Sequence, residues 1–322
     1  MHLPDGFLDA KTALVATAAA AGGVGIALRQ VRNSLEPRQM PMLGLAAAFV
    51  FAAQMLNFPV AGGTSGHLVG GVLTAVLLGP SAAILVITCV LIVQCLMFAD
   101  GGLMALGANV FNMALVSVCS GYFVFCLTRS LFRMENNRST VFAAAFAAWF
   151  GTVLASISCA GQLALSKAAP WSLAFPAMAY VHMVIGVGEG LATGLVVMAV
   201  LRTRPQLVAG AREQGVAAGV SFLGYGLLLA LGLAVFVAPF ACPWPDGLEK
   251  VAQTLGFEGK AAAIPLASPL ADYRLPFVGS ATVATAVAGA IGTVLAFVAA
   301  YVLARTLVPV LGGPKKDAPS RN

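Results

Sequence analysis

The sequence is poor in charged residues. Only 9% of its 322 residues are Asp, Glu, Lys or Arg, whereas 60% are hydrophobic. Soluble domains carry roughly 25% charged residues, so this balance excludes a disordered chain and an ordinary cytosolic enzyme. The 6 cysteines form no Cys-x-x-Cys pair, so neither a zinc knuckle nor a disulfide framework is indicated. Acidic residues stand where a signal peptide is basic, so we expect the N-terminus to be retained.

Long apolar runs are abundant, and about 20 residues suffice to span a bilayer. The runs lie at roughly 12–29, 41–58, 105–128, 141–165, 176–201, 216–240 and 277–304. A further stretch, 67–98, is interrupted by Gly79-Pro80, and proline ends a helix; we interpret it as a short helix followed by a full one. The predicted fold is therefore an all-α polytopic transmembrane helical bundle with about nine spans, seven plus two.

The basic residues predict the orientation of this bundle. With the N-terminus outside, most of the 18 lysines and arginines fall in the inner loops 29–39, 129–140 and 202–212 and in the C-terminal tail, as the positive-inside tendency requires. Those left outside are Lys11, Lys167, Lys250, Lys260 and Arg274. The net charge of +6 thus reflects topology and does not indicate nucleic-acid binding. We expect a multi-pass protein of the inner (plasma) membrane, with its C-terminus inside.

The chain divides into two regions. Residues 1–205 carry seven of the spans and short loops. Residues 206–322 begin with a basic linker and hold two spans, separated by an outer loop, 241–276, that is rich in proline and glycine. This loop is too small to contain a core of its own.

Three histidines, His2, His67 and His182, all fall near the outer side in this topology. A terminal Met-His is a chelator, because the Met1 amine and the His2 backbone nitrogen close a five-membered ring on a metal. The same nitrogen and the His2 imidazole Nδ1 close a six-membered ring, and His67 can fill the fourth position of the plane. Four planar nitrogens suit Ni(II), Cu(II) or low-spin Co(II), whereas Zn(II) prefers a tetrahedron. Spacing alone leaves open that His2 is a surface residue and His67 a packing histidine.

Polar residues inside membrane spans are costly and often functional. Glu189 is the only acid within the predicted spans, and His182 lies two turns before it on the same side of the helix. Together with Asn57 and Ser65, which stand shortly before His67, they are candidates to orient metal ligands. The alternative for His182 and Glu189 is a polar pair that packs helices.

Three segments resemble the substrate-binding M component of cobalt/nickel energy-coupling-factor transporters, the CbiM/NikM type. They are MHLPDGFLD at the N-terminus, QMLNFPVAGGTSGHLVGG (Gln54 to Gly71) and HMVIGVGEGLATG (His182 to Gly194). The similarity covers residues 1–205. The run Pro245-Asp246-Gly247-Leu248-Glu249 resembles the signature of the accessory N component, which some members carry fused to M, so residues 206–322 are expected to be an N-type region.

The resemblance implies that the ion is held by the Met1 amine, the His2 backbone nitrogen and imidazole, and the His67 imidazole. It implies a non-catalytic binding and translocation component of an ATP-driven importer, with Ni(II) favoured over Co(II) as the transported ligand. Its partners would be a separate transmembrane coupling subunit and cytoplasmic ATPases, and the sequence has no G-x-x-x-x-G-K-[ST] phosphate loop of its own.

Two alternative functions remain. One is an autonomous ion-coupled carrier that uses Glu189 as a proton relay, and the other is an intramembrane metalloenzyme built on His182 and Glu189, although no H-E-x-x-H motif occurs. The outer loop 241–276 is expected either to open and load the site or to tether the assembly.

Overall fold

The structure, a computed structural model, describes residues 1–132, 136–208, 220–262 and 267–307. Within these ranges seven helices are long and apolar enough to cross a membrane. This confirms the predicted all-α polytopic bundle, and the chain is a multi-pass membrane protein. Several of the basic residues used to orient it lie outside the described residues, namely Arg133, Arg212, Lys315, Lys316 and Arg321.

The helices and strands follow one another as α1 (Ala10–Ser34), α2 (Met40–Gln54), β1 (Phe58–Val60), β2 (Thr64–Gly66), α3 (Gly71–Leu78), α4 (Pro80–Phe98), α5 (Leu106–Asn109), α6 (Ser117–Leu131), α7 (Asn137–Leu165), α8 (Trp171–Thr203), α9 (Val220–Gly232), α10 (Gly247–Leu255) and α11 (Ala281–Leu307). A π-helical segment, Val110–Val116, joins α5 to α6, and another, Leu233–Val237, continues α9. The 3-10 helices are Pro37–Gln39, Pro205–Leu207, Ala238–Phe240, Glu258–Lys260 and Ala271–Tyr273.

The stretch 67–98 forms the short helix and the full helix that its sequence predicts. α3 has 8 residues and ends at Leu78, and α4 has 19 residues and begins at Pro80. At about 1.5 Å per residue, α3 is far too short to cross a bilayer. Of the nine expected spans, seven correspond to the long helices, five in residues 1–205 and two after residue 206. The other two correspond to α2, with 15 residues, and to α3, which is not a full span.

The prediction of a helical span over 41–58 is wrong at its C-terminal end. α2 stops at Gln54, and β1 pairs antiparallel with β2, Phe58 opposite Gly66. The hairpin turns through Gly62 and Gly63, which both have positive φ, a conformation that glycine adopts without strain. The apolar residues of β1 resemble a continuing helix in sequence, but Pro59 has no backbone N–H for a helical hydrogen bond.

Small residues bring the helices of the bundle close together. α7 and α8 pack along one another, and a Cβ on Gly190 would lie 2.8 Å from the carbonyl oxygen of Ala145. Such close approach suits packing in lipid, where dispersion rather than burial from water holds helices together. α9 and α11 both pack on α2, so the described spans of the C-terminal region lie against the preceding helices.

The outer loop lies over the end of the bundle that carries Met1. Its helix α10 packs on α8, and Leu248 and Val251 are buried there. Ala262 forms an isolated antiparallel bridge with Asp5, and the Ala262 N–H donates to the Asp5 carbonyl at 2.7 Å. The loop therefore covers the N-terminal peptide.

Candidate metal site

The N-terminal amine is enclosed by three separate parts of the chain. Met1 is 4% exposed. Its nitrogen donates to His67 Nε2 at 3.0 Å and to Asp246 Oδ2 at 2.5 Å. The first residue thus meets the segment between β2 and α3 and the start of α10.

His67 presents a free lone pair to this amine. Its Nδ1–H donates to the Leu68 carbonyl at 3.1 Å, so Nε2 is the unprotonated nitrogen of the neutral ring. Burial, and then the nearby Met1 ammonium and His2, lower the pKa of His67 to about 3. The imidazole is therefore neutral at pH 7 and is able to bind a cation.

The His2 ring lies beside that of His67, with 5.2 Å between the ring centroids. Its side chain is 7% exposed, and burial is the main cause that lowers its pKa. Within the described residues, His2 Nδ1 makes no hydrogen bond, and the nearest carboxylate oxygen, Asp100 Oδ1, is 3.7 Å away. A buried polar atom without a partner requires an explanation, and Nδ1 is the ring atom that a Met-His chelate uses.

The rest of the N-terminal peptide is fixed by hydrogen bonds. Leu3 exchanges two of them with the Asn109 side chain, N–H to Oδ1 at 2.8 Å and Nδ2–H to the carbonyl at 3.1 Å. The Asp5 carboxylate accepts from the backbone N–H groups of Leu103, Met104 and Ala105 at 2.8–3.1 Å, at the start of α5. Carboxylates are stabilised at such helix N-termini. Met1 and His2 are therefore held in place by the residues that follow them.

Glu189 holds the segment that follows His67. It is 1% exposed, and its two carboxylate oxygens accept from Val69 N–H at 2.6 Å and Gly70 N–H at 2.9 Å. Gly70 has a φ of 74°, and a Cβ there would lie 2.9 Å from Val50 Cγ2, so only glycine fits. α8 thereby fixes the backbone two residues from the imidazole.

Ser65 and Asn57 form hydrogen bonds to the outer loop. Ser65 Oγ–H donates to the Trp244 carbonyl and Ser65 N–H to the Pro245 carbonyl, both at 2.8 Å. The Asn57 carbonyl accepts from Cys242 N–H at 2.8 Å. These bonds place the segment just before Asp246.

His182 lies beneath the first residue of α10. Its Nδ1–H donates to the Met178 carbonyl at 2.9 Å, and a Cβ on Gly247 would lie 3.0 Å from its Nε2. His182 is 2% exposed and shares the buried face of α8 with Glu189. It acts here as a packing surface for α10.

Asp246 is not among the site residues predicted from the sequence. It appears there only as part of the run Pro245-Asp246-Gly247-Leu248-Glu249. Its carboxylate caps α10 by accepting from Glu249 N–H at 2.8 Å, and the Glu249 carboxylate accepts from Asp246 N–H at 2.9 Å. Burial raises the pKa of its carboxyl, but the Met1 ammonium and His67 outweigh burial, so the net pKa lies below its usual range. Nothing local in the sequence signals the contact with Met1, 245 residues away.

The spacing of the nitrogens is compatible with one bound ion. Two nitrogens at right angles around an ion, with bonds of about 2.0–2.1 Å, lie about 2.8–3.0 Å apart. The distance between the Met1 nitrogen and His67 Nε2 is 3.0 Å. In the part of the chain that the structure describes, no three His, Cys, Asp or Glu residues converge as a metal cage. A cation held here would therefore need the backbone nitrogens as donors.

Comparison with known proteins gives two family matches. The CbiM family, described as the cobalt uptake substrate-specific transmembrane region, matches residues 2–207, and the PDGLE domain matches residues 220–308.

Individual relatives and one solved structure agree with these matches. The chain is 37% identical over 308 residues to the putative fused nickel transport protein NikMN of Archaeoglobus fulgidus, covering 95% of this chain and 98% of that protein. It is 35% identical over 211 residues to the cobalt transport protein CbiM 2 of Pelobacter propionicus, covering 63% of this chain and 91% of that protein. The crystal structure of a truncated transition metal transporter is 34% identical, with a TM-score of 0.58, and covers 63% of this chain and 99% of that one.

Proposed function

The chain belongs to the CbiM family of cobalt uptake substrate-specific transmembrane regions, and we propose that it is the substrate-binding component of an ATP-driven Ni(II) importer. It is a multi-pass protein of the cell membrane and a component of metal uptake. The finer points, nickel as the cargo, the ligand set and the ATP-driven partners, are our proposal.

The observation that carries this proposal is the enclosed N-terminal amine beside two neutral imidazoles. The Met1 nitrogen and His67 Nε2 lie 3.0 Å apart. In the adjoining residue, His2 Nδ1 has no hydrogen-bond partner among the described residues. The proposed ligands are the Met1 amine, the His2 backbone nitrogen and Nδ1, and His67 Nε2. Amine, amide and imidazole must be deprotonated to bind, so ion entry releases protons.

The proposed set of four nitrogen donors favours nickel over cobalt. Four nitrogens in one plane suit Ni(II), although Cu(II) would also bind strongly in vitro by the Irving–Williams order. The fused relative in Archaeoglobus fulgidus is named for nickel and the relative in Pelobacter propionicus for cobalt. The names support a transition metal, and the donor set supports nickel.

The proposed partners are a transmembrane coupling subunit and cytoplasmic ATPases. The autonomous carrier has less support, because both oxygens of Glu189 already accept backbone N–H groups and so hold the structure together. Uptake that stops with an inactive ATPase and continues with a protonophore supports the ATP-driven importer. The reverse result contradicts it.

The test of the site is an uncleaved extension before Met1, which turns the amine into an amide. We expect Ni(II) affinity in equilibrium dialysis to fall by about 100-fold or more, because the five-membered ring loses its amine donor. The same extension placed after Asn322 is the matched control and should leave binding unchanged. Protein with its native terminus should form a yellow, diamagnetic Ni(II) complex, as planar nitrogen ligation requires. Equal affinity of the two extended proteins would refute the proposed ligand set.

A further inference from the structure

The proposed function leaves the carboxylate of Asp246 unexplained, although it makes the shorter of the two contacts to the Met1 nitrogen. We propose that Asp246 is a positioning residue of the metal site: it holds the amine before an ion binds and balances the charge of the ion afterwards. This inference rests on the proposed function and assigns the outer loop, 241–276, a direct part in metal binding.

The structure aims Asp246 at the amine by several independent contacts. The two carbonyls just before it, on Trp244 and Pro245, accept from Ser65, close to His67 in the chain. Behind it, Leu248 is fully buried under the end of the bundle. Gly247 fits directly on the His182 ring, where a Cβ would lie 2.8 Å from Cε1. A residue whose only role was to cap α10 would not need this placement.

The geometry allows Asp246 to keep its contact when an ion enters. An ion that binds the Met1 nitrogen and His67 Nε2 occupies the place of the proton that now lies between them. A metal-bound amine still carries two N–H groups, and one of them can remain on Asp246 Oδ2. That oxygen is 4.0 Å from His67 Nε2, so it lies beside the pair and not between them.

The Asp246 carboxylate also balances the charge of a bound ion. When one Ni(II) enters, the Met1 ammonium and the His2 amide each release a proton to solvent, and the metal–nitrogen bonds replace the two N–H bonds. The ammonium and the carboxylate sum to zero before entry, and Ni(II), the His2 amide anion and the carboxylate sum to zero after it. Without Asp246 the bound form would bury one uncompensated positive charge, which is strongly unfavourable.

Asp100, the next carboxylate, is a weaker counter-charge. Its side chain is 28% exposed, compared with 14% for Asp246, and it accepts from the Tyr273 hydroxyl at 2.6 Å. Water and this hydroxyl therefore share its charge. Asp246, in contrast, directly contacts the Met1 nitrogen, a proposed ligand.

The test is Asp246→Asn in the full chain with its native terminus. Asparagine caps a helix as well as aspartate does, so this variant removes the charge and keeps α10. We expect Ni(II) affinity in competition dialysis to fall by about 10- to 100-fold, with the planar Ni(II) absorption spectrum unchanged. Without metal, the Met1 amine should react faster with an acetylating reagent, as followed by mass spectrometry. Glu258→Gln, which removes an exposed carboxylate from the same outer loop, should change neither the Ni(II) affinity nor the acetylation rate.

Other outcomes would contradict either the role of Asp246 or the proposed function. Wild-type or tighter affinity of Asp246→Asn overturns the inference, and so does a weaker complex with an altered spectrum, because the donors themselves would then have moved. If Asp246→Asn does not fold, Asp246→Ser, which also caps helices, takes its place with the same expectations. A wild-type protein that binds neither Ni(II) nor Co(II) contradicts the proposed function itself, whereas tight wild-type binding with no effect of Asp246→Asn contradicts only the role of Asp246.

Discussion

Replacing Glu189 by glutamine should weaken the proposed metal site, because Glu189 holds the backbone that follows His67. The carboxylate accepts from two buried N–H groups, those of Val69 and Gly70. A glutamine side chain offers one oxygen and one NH₂ group, so one backbone N–H would face another donor. The change conserves volume, and its effect should come from this single mismatch.

The hydrogen bonds set the magnitude. Leaving one buried donor unsatisfied costs about 1–3 kcal/mol, and we expect Glu189→Gln to lose about that much stability. The backbone that it frees lies two residues from His67, so the imidazole loses its fixed position. Loss of a group that orients a ligand typically costs about 10- to 100-fold in metal affinity.

The assay compares Glu189→Gln with Gln162→Leu. Gln162 bonds reciprocally with Asn112 at 2.8 and 3.1 Å, so its replacement also removes buried hydrogen bonds between helices. Both variants should unfold at lower temperature, but only Glu189→Gln should bind Ni(II) more weakly in competition dialysis. Equal Ni(II) affinity of the two variants would show that Glu189 does not position His67. Wild-type Ni(II) affinity of Glu189→Gln would refute the reasoning.

Two further predictions concern protons and packing. Ni(II) affinity should fall as the pH is lowered from 8 to 5, because protons compete with the ion for the nitrogen donors of the proposed ligand set. His67, with a pKa lowered to about 3, stays neutral and adds nothing to the slope. Dialysis that gives one affinity over this range would contradict the ligand set. Gly247→Ala should weaken Ni(II) binding, because its Cβ would lie 2.8 Å from His182 Cε1 and from Ile185 Cδ1 and would push α10 away. Gly259→Ala, whose Cβ would meet no described atom within 4 Å, should leave binding unchanged. Equal affinity of the two alanine variants would show that the position of α10 does not matter.

Much of the fold follows from local sequence. Apolar length predicts the long helices, and Gly79-Pro80 predicts the division between α3 and α4. The hairpin of β1 and β2 was not predicted, because Phe58 and Val60 continue an apolar run. Only their pairing with Thr64–Gly66 distinguishes a strand from a helix here.

The candidate site could be predicted where chemistry is local. The proposed Met1-His2 chelate is encoded by two adjacent residues, and His67 Nε2 lies 3.0 Å from the Met1 nitrogen. Asp246 could not be predicted in this way, because the capping box with Glu249 already accounts for its residue type. Its contact with Met1 exists only once α10 has packed on α8.

The placement of Asp246 on the same polypeptide as Met1 has a consequence for assembly. A carboxylate on a separate subunit would have to be recruited from the membrane, and the site would be complete only in that fraction of molecules that had found a partner. Here the two atoms are 245 residues apart along one chain, so the encounter is intramolecular and its effective concentration does not depend on expression level. Every molecule therefore carries the acid in a fixed one-to-one ratio, even when the protein is scarce.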